Sequence, residues 1–314
     1  MEKKRFKEII PPVSKKLLEQ ELNKDRFLRK TNNGNNEIYV ISHHDSPNVM
    51  LEIGRLREIS FREAGGGTGK SADIDDYDKA EYPYKQLIVW NPEKKEIVGG
   101  YRFLDCTEKI PRDENGKIKL ATRGIFEFSQ KFTDEYLPFT LELGRSFIQP
   151  EYQASKVGRK ALFSLDNLWD GLGALVVLNP KIKYLFGKIT MYTNYNTKAR
   201  DMILYFLNKY FPDNDNLVYP KEPLQLSTAQ SELASIFNKN DYKEEFKVLN
   251  RMVREHGEII PPLFNSYMNL SPTMKVFGTA VNHHFGGVEE TGIMITLADI
   301  YETKKHRHIA SFKQ

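Results

Sequence analysis

The stretch that decides the fold is Leu141-Glu142-Leu143-Gly144-Arg145-Ser146-Phe147-Ile148-Gln149-Pro150-Glu151-Tyr152. Leu141 and Leu143 alternate with Glu142, which predicts a strand over 139–144 with one apolar and one polar face. A long helix is predicted soon after it, because apolar residues then recur every three or four positions. These residues are Leu162, Leu165, Leu168, Trp169, Leu172 and Val176. A strand that leads into such a helix is typical of layered α/β domains.

The same spacing rules predict elements on both sides of this unit. Helices are predicted over 14–29 and 48–63, the second capped by Asn48, and a third extends from Ala199 to Tyr210. Strands are predicted over 37–42, 86–90, 97–104, 184–192, 276–282 and 292–300. This order predicts an α/β fold with a mixed sheet flanked by helices.

Charged and polar residues are distributed unevenly along the chain. Residues 1–36 are predicted to form a basic helical arm, since residues 1–30 hold ten Lys/Arg against five Asp/Glu. Residues 37–314 are predicted to form one domain, in which the polar stretch 213–257 is a helical insertion. The arm suits anionic lipid headgroups or an acidic carrier protein, although a solvated helix face explains the same charges. No basic motif interleaved with aromatic residues occurs elsewhere, so nucleic acid is not an expected partner.

Apolar runs and cysteine usage predict the compartment. No run approaches the roughly 18 apolar residues of a spanning helix, and no apolar segment follows the basic N-terminus as in a secretory signal. Cys106 is the single cysteine, which suits a reducing compartment. We therefore expect a cytoplasmic protein that can make peripheral contact with the inner face of a membrane.

The stretch Ala64-Gly65-Gly66-Gly67-Thr68-Gly69-Lys70-Ser71 matches a relaxed nucleotide-binding pattern. A phosphate-binding loop needs a strand before it and a helix after it. Here a helix is predicted before it, and the acidic run 73–78 follows it. Nucleotide hydrolysis is therefore not expected, and we predict a flexible glycine loop that can close over a substrate.

Three segments carry a family resemblance: 54–63, 97–104 and 141–152. In this order and spacing they resemble the GNAT acyltransferases related to the ornithine-lipid N-acyltransferases, and more remotely the acyl-homoserine-lactone synthases. The resemblance looks closest to the Bacteroidetes members that acylate glycine in glycine-lipid synthesis, often labelled hemolysin-like. It spans roughly residues 37–299 and is interrupted by 213–257.

The resemblance implies that Glu142 and Arg145 are functional. Aminolysis of a thioester needs a neutral amine, so we expect Glu142 to accept the proton of the attacking amine. Strand alternation alone would send Arg145 to the other face, and a bulge is needed before the pair can share a site. The alternative is that Glu142 and Arg145 form a structural ion pair at the strand end.

Arg57 and Arg102 lie where the lipid-forming relatives carry functional arginines. Either can clamp the carboxylate of the acceptor through a two-pronged guanidinium contact. Asp78, in the acidic run 73–78, lies where relatives have acids before the second strand, and we expect it to attract the ammonium group of the acceptor. The alternative for this run is a solvated loop.

GNAT proteins hold the phosphopantetheine arm of the donor in a loop before the helix that follows this strand. Gln153 fits the start of the usual pattern Q/R-x-x-G-x-G/A, but only Gly158 remains of its glycines, at a different spacing. This departure favours acyl carrier protein over coenzyme A, with Lys156 and Arg159 contacting its single phosphate. Ordinary solvation of a surface helix is the alternative for both cations.

The function that the resemblance implies is transfer of a long-chain acyl group from acyl carrier protein to the amine of glycine or a similar small amino acid, in N-acyl amino acid and aminolipid synthesis. No tightly bound cofactor is implied, because the acyl-phosphopantetheine thioester is a substrate. The alternatives are an acyl-CoA-dependent acetyltransferase, an acyl-homoserine-lactone-type synthase and a non-catalytic membrane-associated module. The histidine pairs lack metal-ligand spacing, so no metal site is expected, and Cys106 lacks the context of a nucleophile.

Overall fold

The computed structural model describes residues 6–153, 156, 158 and 161–312. The chain forms two compact units. Unit 1 comprises Met1–Ala121, Phe139–Lys183 and Glu302–Gln314, and unit 2 comprises Thr122–Pro138 and Tyr184–Tyr301.

Unit 1 contains five sheet strands, each antiparallel to the next. Their order in the sheet is the chain order: β1 Phe27–Lys30, β2 Glu37–Ile41, β3 Lys85–Asn91, β4 Glu96–Asp105 and β6 Thr140–Ile148. The helices of this unit are α1 Lys15–Glu21, α2 Pro47–Glu63, α3 Asp76–Lys79, α4 Ala161–Leu178 and α9 Glu302–His308. Burial of β4 from Ile97 to Asp105 shows that the sheet is covered on both faces.

Helices α2 and α4 lie on opposite faces of this sheet. Arg57 of α2 donates to the side chain of Gln86 on β3. Gly171 of α4 packs against Leu87, the next residue along β3, and a Cβ at Gly171 would lie 2.7 Å from it. Because successive strand residues point to opposite faces, the Gln86 face belongs to α2 and the Leu87 face to α4.

The N-terminal segment docks on α2. The carboxylate of Glu21 accepts hydrogen bonds from the backbone amides of Asn48 and Val49 at the start of α2. The predicted helix over 14–29 is wrong in its second half: α1 ends at Glu21, and Phe27–Lys30 pairs with β2 across the predicted boundary at residue 36. Pairing with a neighbouring strand satisfies backbone groups that local periodicity does not reveal. The predicted cap at Asn48 is also wrong, because α2 begins at Pro47 after Ser46.

The glycine loop after α2 is held by a buried carboxylate. Glu58, 0% exposed, accepts hydrogen bonds from the amide and hydroxyl of Thr68 and from the amide of Gly69, at 3.1, 2.7 and 2.7 Å. Gly69 in turn accepts a hydrogen bond of 2.9 Å from the amide of Lys7. The flexible loop that the sequence predicted is therefore tied down. The amides of Thr68 and Gly69 donate to the protein's own carboxylate, so these donors already have an anionic acceptor.

Helix α9 closes unit 1 against α4. A Cβ built at Gly173 would lie 2.0 Å from the carbonyl oxygen of His308, so only glycine permits this approach. The imidazole Nδ1 of His308 lies 2.9 Å from the carboxylate of Asp170, which also accepts from the backbone amide of Asn32 before β2. Helix α4 thus binds both the C-terminal helix and the edge of the sheet.

Unit 2 contains two sets of antiparallel strands. In one, β10 Val288–Thr296 lies between β7 Tyr184–Met191 and β9 Lys275–Asn282. In the other, β5 Phe126–Phe128 pairs with β8 Val218–Pro220. The helices are α5 Thr197–Tyr210, α6 Gln230–Ile236, α7 Tyr242–Glu255 and α8 Pro262–Met268.

Two expectations for unit 2 need correction. The last strand lies earlier than the predicted 292–300, because residues 297–299 form a short 3₁₀ turn instead. The polar stretch 213–257 contains α6 and α7, as a helical insertion should, but it also supplies β8, which the sequence did not predict. The α/β class and the flanking helices are confirmed. In the described ranges, no helix has the length and apolar character needed to span a membrane.

We predict that Glu58→Ala lowers the free energy of unfolding by about 3 kcal/mol, because several donors lose a charged acceptor. These donors are the amides of Thr68 and Gly69 and the guanidinium of Arg62, which donates to Glu58 at 2.8 Å. Urea denaturation followed by circular dichroism measures the loss. The matched control is Glu63→Ala, an exposed glutamate of the same helix, which should change stability by less than about 0.5 kcal/mol. Equal losses for the two variants would contradict the role given to Glu58.

Candidate functional site

Strand register places the candidate residues of β4 and β6 on one face of the sheet. Arg102 is paired with Gln86 of β3 and with Gly144 of β6, and Leu104 is paired with Glu142. Directly paired residues share a face. Glu142, Gly144, Arg102 and Gln86 therefore all lie on the face covered by α2.

A bulge in β6 is what brings Arg145 to this face. Gly100 pairs with Phe147 and Arg102 with Gly144, so three steps of β6 face two steps of β4. Arg145 occupies the extra position with a φ of 48°. A left-handed conformation costs an L-residue about 1–2 kcal/mol, and strain of this kind is concentrated at functional sites. The bulge that Glu142 and Arg145 need in order to share a site is therefore present.

The bulge directs Arg145 toward the acidic run. Its Nε atom donates to Asp73 at 2.8 Å, and its Nη2 atom lies 3.7 Å from Asp75. The same carboxylate of Asp75 accepts from Nη1 of Arg102 at 2.7 Å. Asp75 therefore joins the two arginines.

Arg57 and Asp78 complete the network beneath these residues. Arg57, 0% exposed, donates to Gln86 and lies 3.8 Å from Asp78. Asp78, also 0% exposed, accepts from Gln86 at 3.0 Å and from Arg102 at 3.4 Å. We call Arg57, Arg102, Arg145, Asp73, Asp75 and Asp78 the charge network. Three guanidinium groups balance three carboxylates in it, as burial of charge requires.

Burial and charge shift the pKa values of this network. Burial lowers the pKa of Arg57 to about 10, against the opposing effect of Asp78 and Asp73, and the group stays charged at neutral pH. Burial also lowers the pKa of Arg102, but Asp78 and Asp75 outweigh it and raise the pKa above its usual range. Burial raises the pKa of Asp75, yet Arg102 and Arg145 hold it below its usual range.

Tyr84 connects the charge network to Glu142, and sequence reasoning missed it. Its hydroxyl donates to the carboxylate of Glu142 and accepts from the amide of Ala121 at 2.9 Å. The guanidinium of Arg102 lies 5.1 Å from the centre of its ring. Burial, followed by the charge of Glu142, raises the pKa of Tyr84 well above its usual value, so the phenol stays a donor. The available signal was its position two residues before Gln86, on the same face of β3.

The structure thus brings together the predicted residues Glu142, Arg145, Arg57, Arg102 and Asp78. The clamp role of Arg57 and Arg102 stays a prediction, since both guanidinium groups already contact carboxylates of the protein. The predicted base, Glu142, is 1% exposed and lies next to the bulge, where β6 becomes accessible to solvent from Gly144 to Ser146.

The predicted donor loop is only partly described. The side-chain amide of Gln153 donates to the carbonyl of Ile148 at 2.8 Å, which fixes the end of β6. Lys156 is exposed, with its ammonium 3.9 Å from Glu151, and Gly158 has a φ of 57°. Arg159 lies outside the described residues. The donor role of this loop stays a prediction.

The surroundings of Cys106 do not favour a reactive thiolate. Burial raises the pKa of the Cys106 thiol well above its usual value, and Glu142 and Asp105 add to the effect. A protonated thiol is a poor nucleophile. Within residues 6–153, 156, 158 and 161–312, no group of three or more His, Cys, Asp or Glu is arranged to hold a metal ion.

We predict that Asp75→Asn lowers the free energy of unfolding by about 2 kcal/mol at pH 7, because an amide cannot replace the charged partner of Arg102. The pKa of Asp75 is depressed in the folded state, so its stabilisation is present above about pH 4 and is lost as the pH falls further. In urea denaturation between pH 7 and pH 3, the difference in the free energy of unfolding between wild type and variant should become smaller as the pH falls. Asp76→Asn, an exposed position of α3, is the control, and a difference independent of pH would contradict the assignment.

A known protein family matches the part of the chain that contains the candidate site. The family described as Acetyltransferase (GNAT) domain matches residues 56–162, which include Arg57, Arg102 and the Glu142–Arg145 segment. A solved CoA-dependent acyl-homoserine lactone synthase, with S-adenosylmethionine and isopentyl-CoA, is 12% identical with a TM-score of 0.36, covering 86% of this chain and 85% of that one.

Two curated relatives cover nearly the whole chain. A glycine N(alpha)-acyltransferase of Phocaeicola vulgatus is 58% identical over 98% of this chain and 94% of its own length. A protein of the same name from Bacteroides thetaiotaomicron is 60% identical over 98% of this chain and 91% of its own length. The chain therefore belongs to the family of these two relatives, and it is an N-acyltransferase with a GNAT domain.

Proposed function

We propose that this N-acyltransferase moves a long-chain acyl group from acyl carrier protein to the amine of glycine, giving an N-acyl amino acid for aminolipid synthesis. The choice of glycine as acceptor rests on the name of both relatives, glycine N(alpha)-acyltransferase, at 58% and 60% identity. The chemistry is supported by the buried carboxylate of Glu142 beside a strained bulge that opens to solvent.

In the proposed reaction, the neutral amine nitrogen attacks the carbonyl carbon of the thioester. The new C–N bond forms, the amine proton passes to Glu142 directly or through one water, and the intermediate carries an oxyanion. The C–S bond then breaks, and the sulfur leaves with the proton as a free thiol. Backbone amides at the bulge are the proposed oxyanion donors, because a bulge removes residues from strand pairing.

Tyr84 and the charge network position Glu142 in this proposal. The phenol donates to the carboxylate, and the Arg102 guanidinium against the ring fixes the phenol in turn. Arg102 is itself held by Asp75 and Asp78. Arg57, Arg102 and Asp78 are each 2% exposed or less. In this proposal they therefore act by holding the site in place.

Acyl carrier protein is the proposed donor because the loop 153–160 departs from the usual glycine pattern for coenzyme A. The basic N-terminal arm supports the same partner, since carrier proteins are acidic, and it also suits a cytoplasmic enzyme with peripheral contact to anionic lipids. Steady-state rates with palmitoyl-carrier protein and palmitoyl-CoA test the proposal. Faster turnover of the coenzyme A ester at equal concentration would overturn the choice of donor.

We predict that Glu142→Gln lowers kcat for N-acylglycine formation by about 100-fold or more, because the amide cannot accept the proton of the amine. Product is measured by mass spectrometry with purified enzyme, acyl donor and glycine. The control is Cys106→Ala, which removes a buried protonated thiol next to Thr140 and should leave kcat close to wild type. Unchanged turnover in Glu142→Gln would remove the main support for the proposed mechanism.

We predict that Tyr84→Phe lowers kcat about tenfold and leaves KM for glycine nearly unchanged, because the hydrogen bond that orients Glu142 is lost. The hydrogen bond from the amide of Ala121 is lost with it. The ring and its contact with Arg102 remain. The matched control is Tyr82→Phe, whose hydroxyl bonds to Glu108 at 2.9 Å on the exposed side. Equal kcat values for the two variants would show that Tyr84 does not position the base.

A further inference from the structure

Gly144 differs from Gly99 and Gly100, the other two glycines of the unit 1 strands. A Cβ at Gly99 would lie 2.4 Å from the carbonyl oxygen of Phe147, and one at Gly100 would lie 2.8 Å from that of Leu87. Packing between strands therefore requires both of these glycines. A Cβ at Gly144 has no heavy atom of the described residues within 4 Å, apart from its two chain neighbours. Packing does not explain the missing side chain at this position.

The space over Gly144 lies on the functional face. Gly144 is paired with Arg102 and follows Glu142 by two residues, so its side-chain direction is that of Glu142. Same-face neighbours along a strand are about 7 Å apart, which is within the reach of a carboxylate through one small group or one water. A molecule above Gly144 is therefore a neighbour of the Glu142 side chain.

This space is also open to solvent. Strand β6 is buried from Thr140 to Leu143 and becomes half-exposed from Gly144 to Ser146. Arg145, at the next position, has the strained φ of 48° and points its guanidinium toward Asp73. Gly144 thus stands where the buried carboxylate meets the accessible part of the strand.

We propose that Gly144 keeps open an acceptor recess, in which the amine-bearing carbon of the substrate occupies the place of the missing side chain. This inference rests on the proposed function and deepens it, because it names the feature that admits a small primary amine beside Glu142. The recess accepts amino acids with no side chain or a small one. A methyl group at position 144 takes the volume that the acceptor needs.

The backbone allows the direct test. Gly144 does not have a positive φ, so an alanine there carries no conformational strain. We expect Gly144→Ala to raise KM for glycine by about tenfold or more, in line with the effect of one extra methyl group in a fitted pocket. KM for the acyl donor and the melting temperature should stay at their wild-type values.

Gly124→Ala is the matched control, since Gly124 also has open space at its Cβ and no positive φ, but lies in unit 2 on an exposed turn. It should leave KM for glycine unchanged. Gly144→Val should raise KM for glycine further than Gly144→Ala, because the larger group fills more of the recess.

The possible results separate the inference from the proposed function. Wild-type enzyme that makes no N-acylglycine from any thioester overturns the proposed function. Active wild-type enzyme with an unchanged KM for glycine in Gly144→Ala overturns the recess alone. A raised KM for the donor instead of glycine also overturns it, as does a melting temperature several degrees below wild type, since the space would then be filled by the protein.

Discussion

Balanced burial of charge is the constraint on which the candidate site depends. Arg57, Arg102, Asp73 and Asp78 are each 2% exposed or less, and a buried charge without a partner is strongly destabilising. The segment that carries the three aspartates must therefore lie on the sheet face of Arg102 and Arg145, which α2 covers with Arg57. This requirement determines the path of the chain between α2 and β3, and it fixes the surroundings of Glu142 through Tyr84.

The bulge at Arg145 strains the backbone locally and allows the guanidinium to pair with Asp73. A regular β6 would send the arginine to the face of α4, away from Asp73. The extra residue turns it back, at a cost of about 1–2 kcal/mol for its left-handed backbone, and the ion pair of 2.8 Å offsets that cost. Gly144, at the edge of the same irregularity, is half-exposed and is the position at which we propose that the acceptor approaches Glu142.

A similar principle explains the glycine loop. Its sequence matches a phosphate-binding pattern, yet its amides donate to Glu58, a carboxylate one turn before the end of α2. An internal anion occupies the donors that a phosphate would need. The glycines serve a different purpose: Gly65, Gly67 and Gly69 have φ values of 98°, 101° and 77°, which let the chain fold back on the helix.

The sequence by itself determined the α/β class and the positions of most helices and strands, because apolar periodicity is a local feature. Through a family resemblance it also marked Glu142, Arg145, Arg57, Arg102 and Asp78 as candidate site residues, whose roles stay predictions. It predicted a helix where β1 lies and placed the last strand too late, because both strands depend on pairing with other strands. Tyr84, Asp73 and the role of Glu58 were decided only by the tertiary structure. Arg145 and Asp73 are 72 residues apart in the chain, and Tyr84 and Glu142 are 58 apart. Such contacts form only after the sheet has assembled. A charge buried in the low-dielectric interior is then costly unless it is paired with an opposite charge.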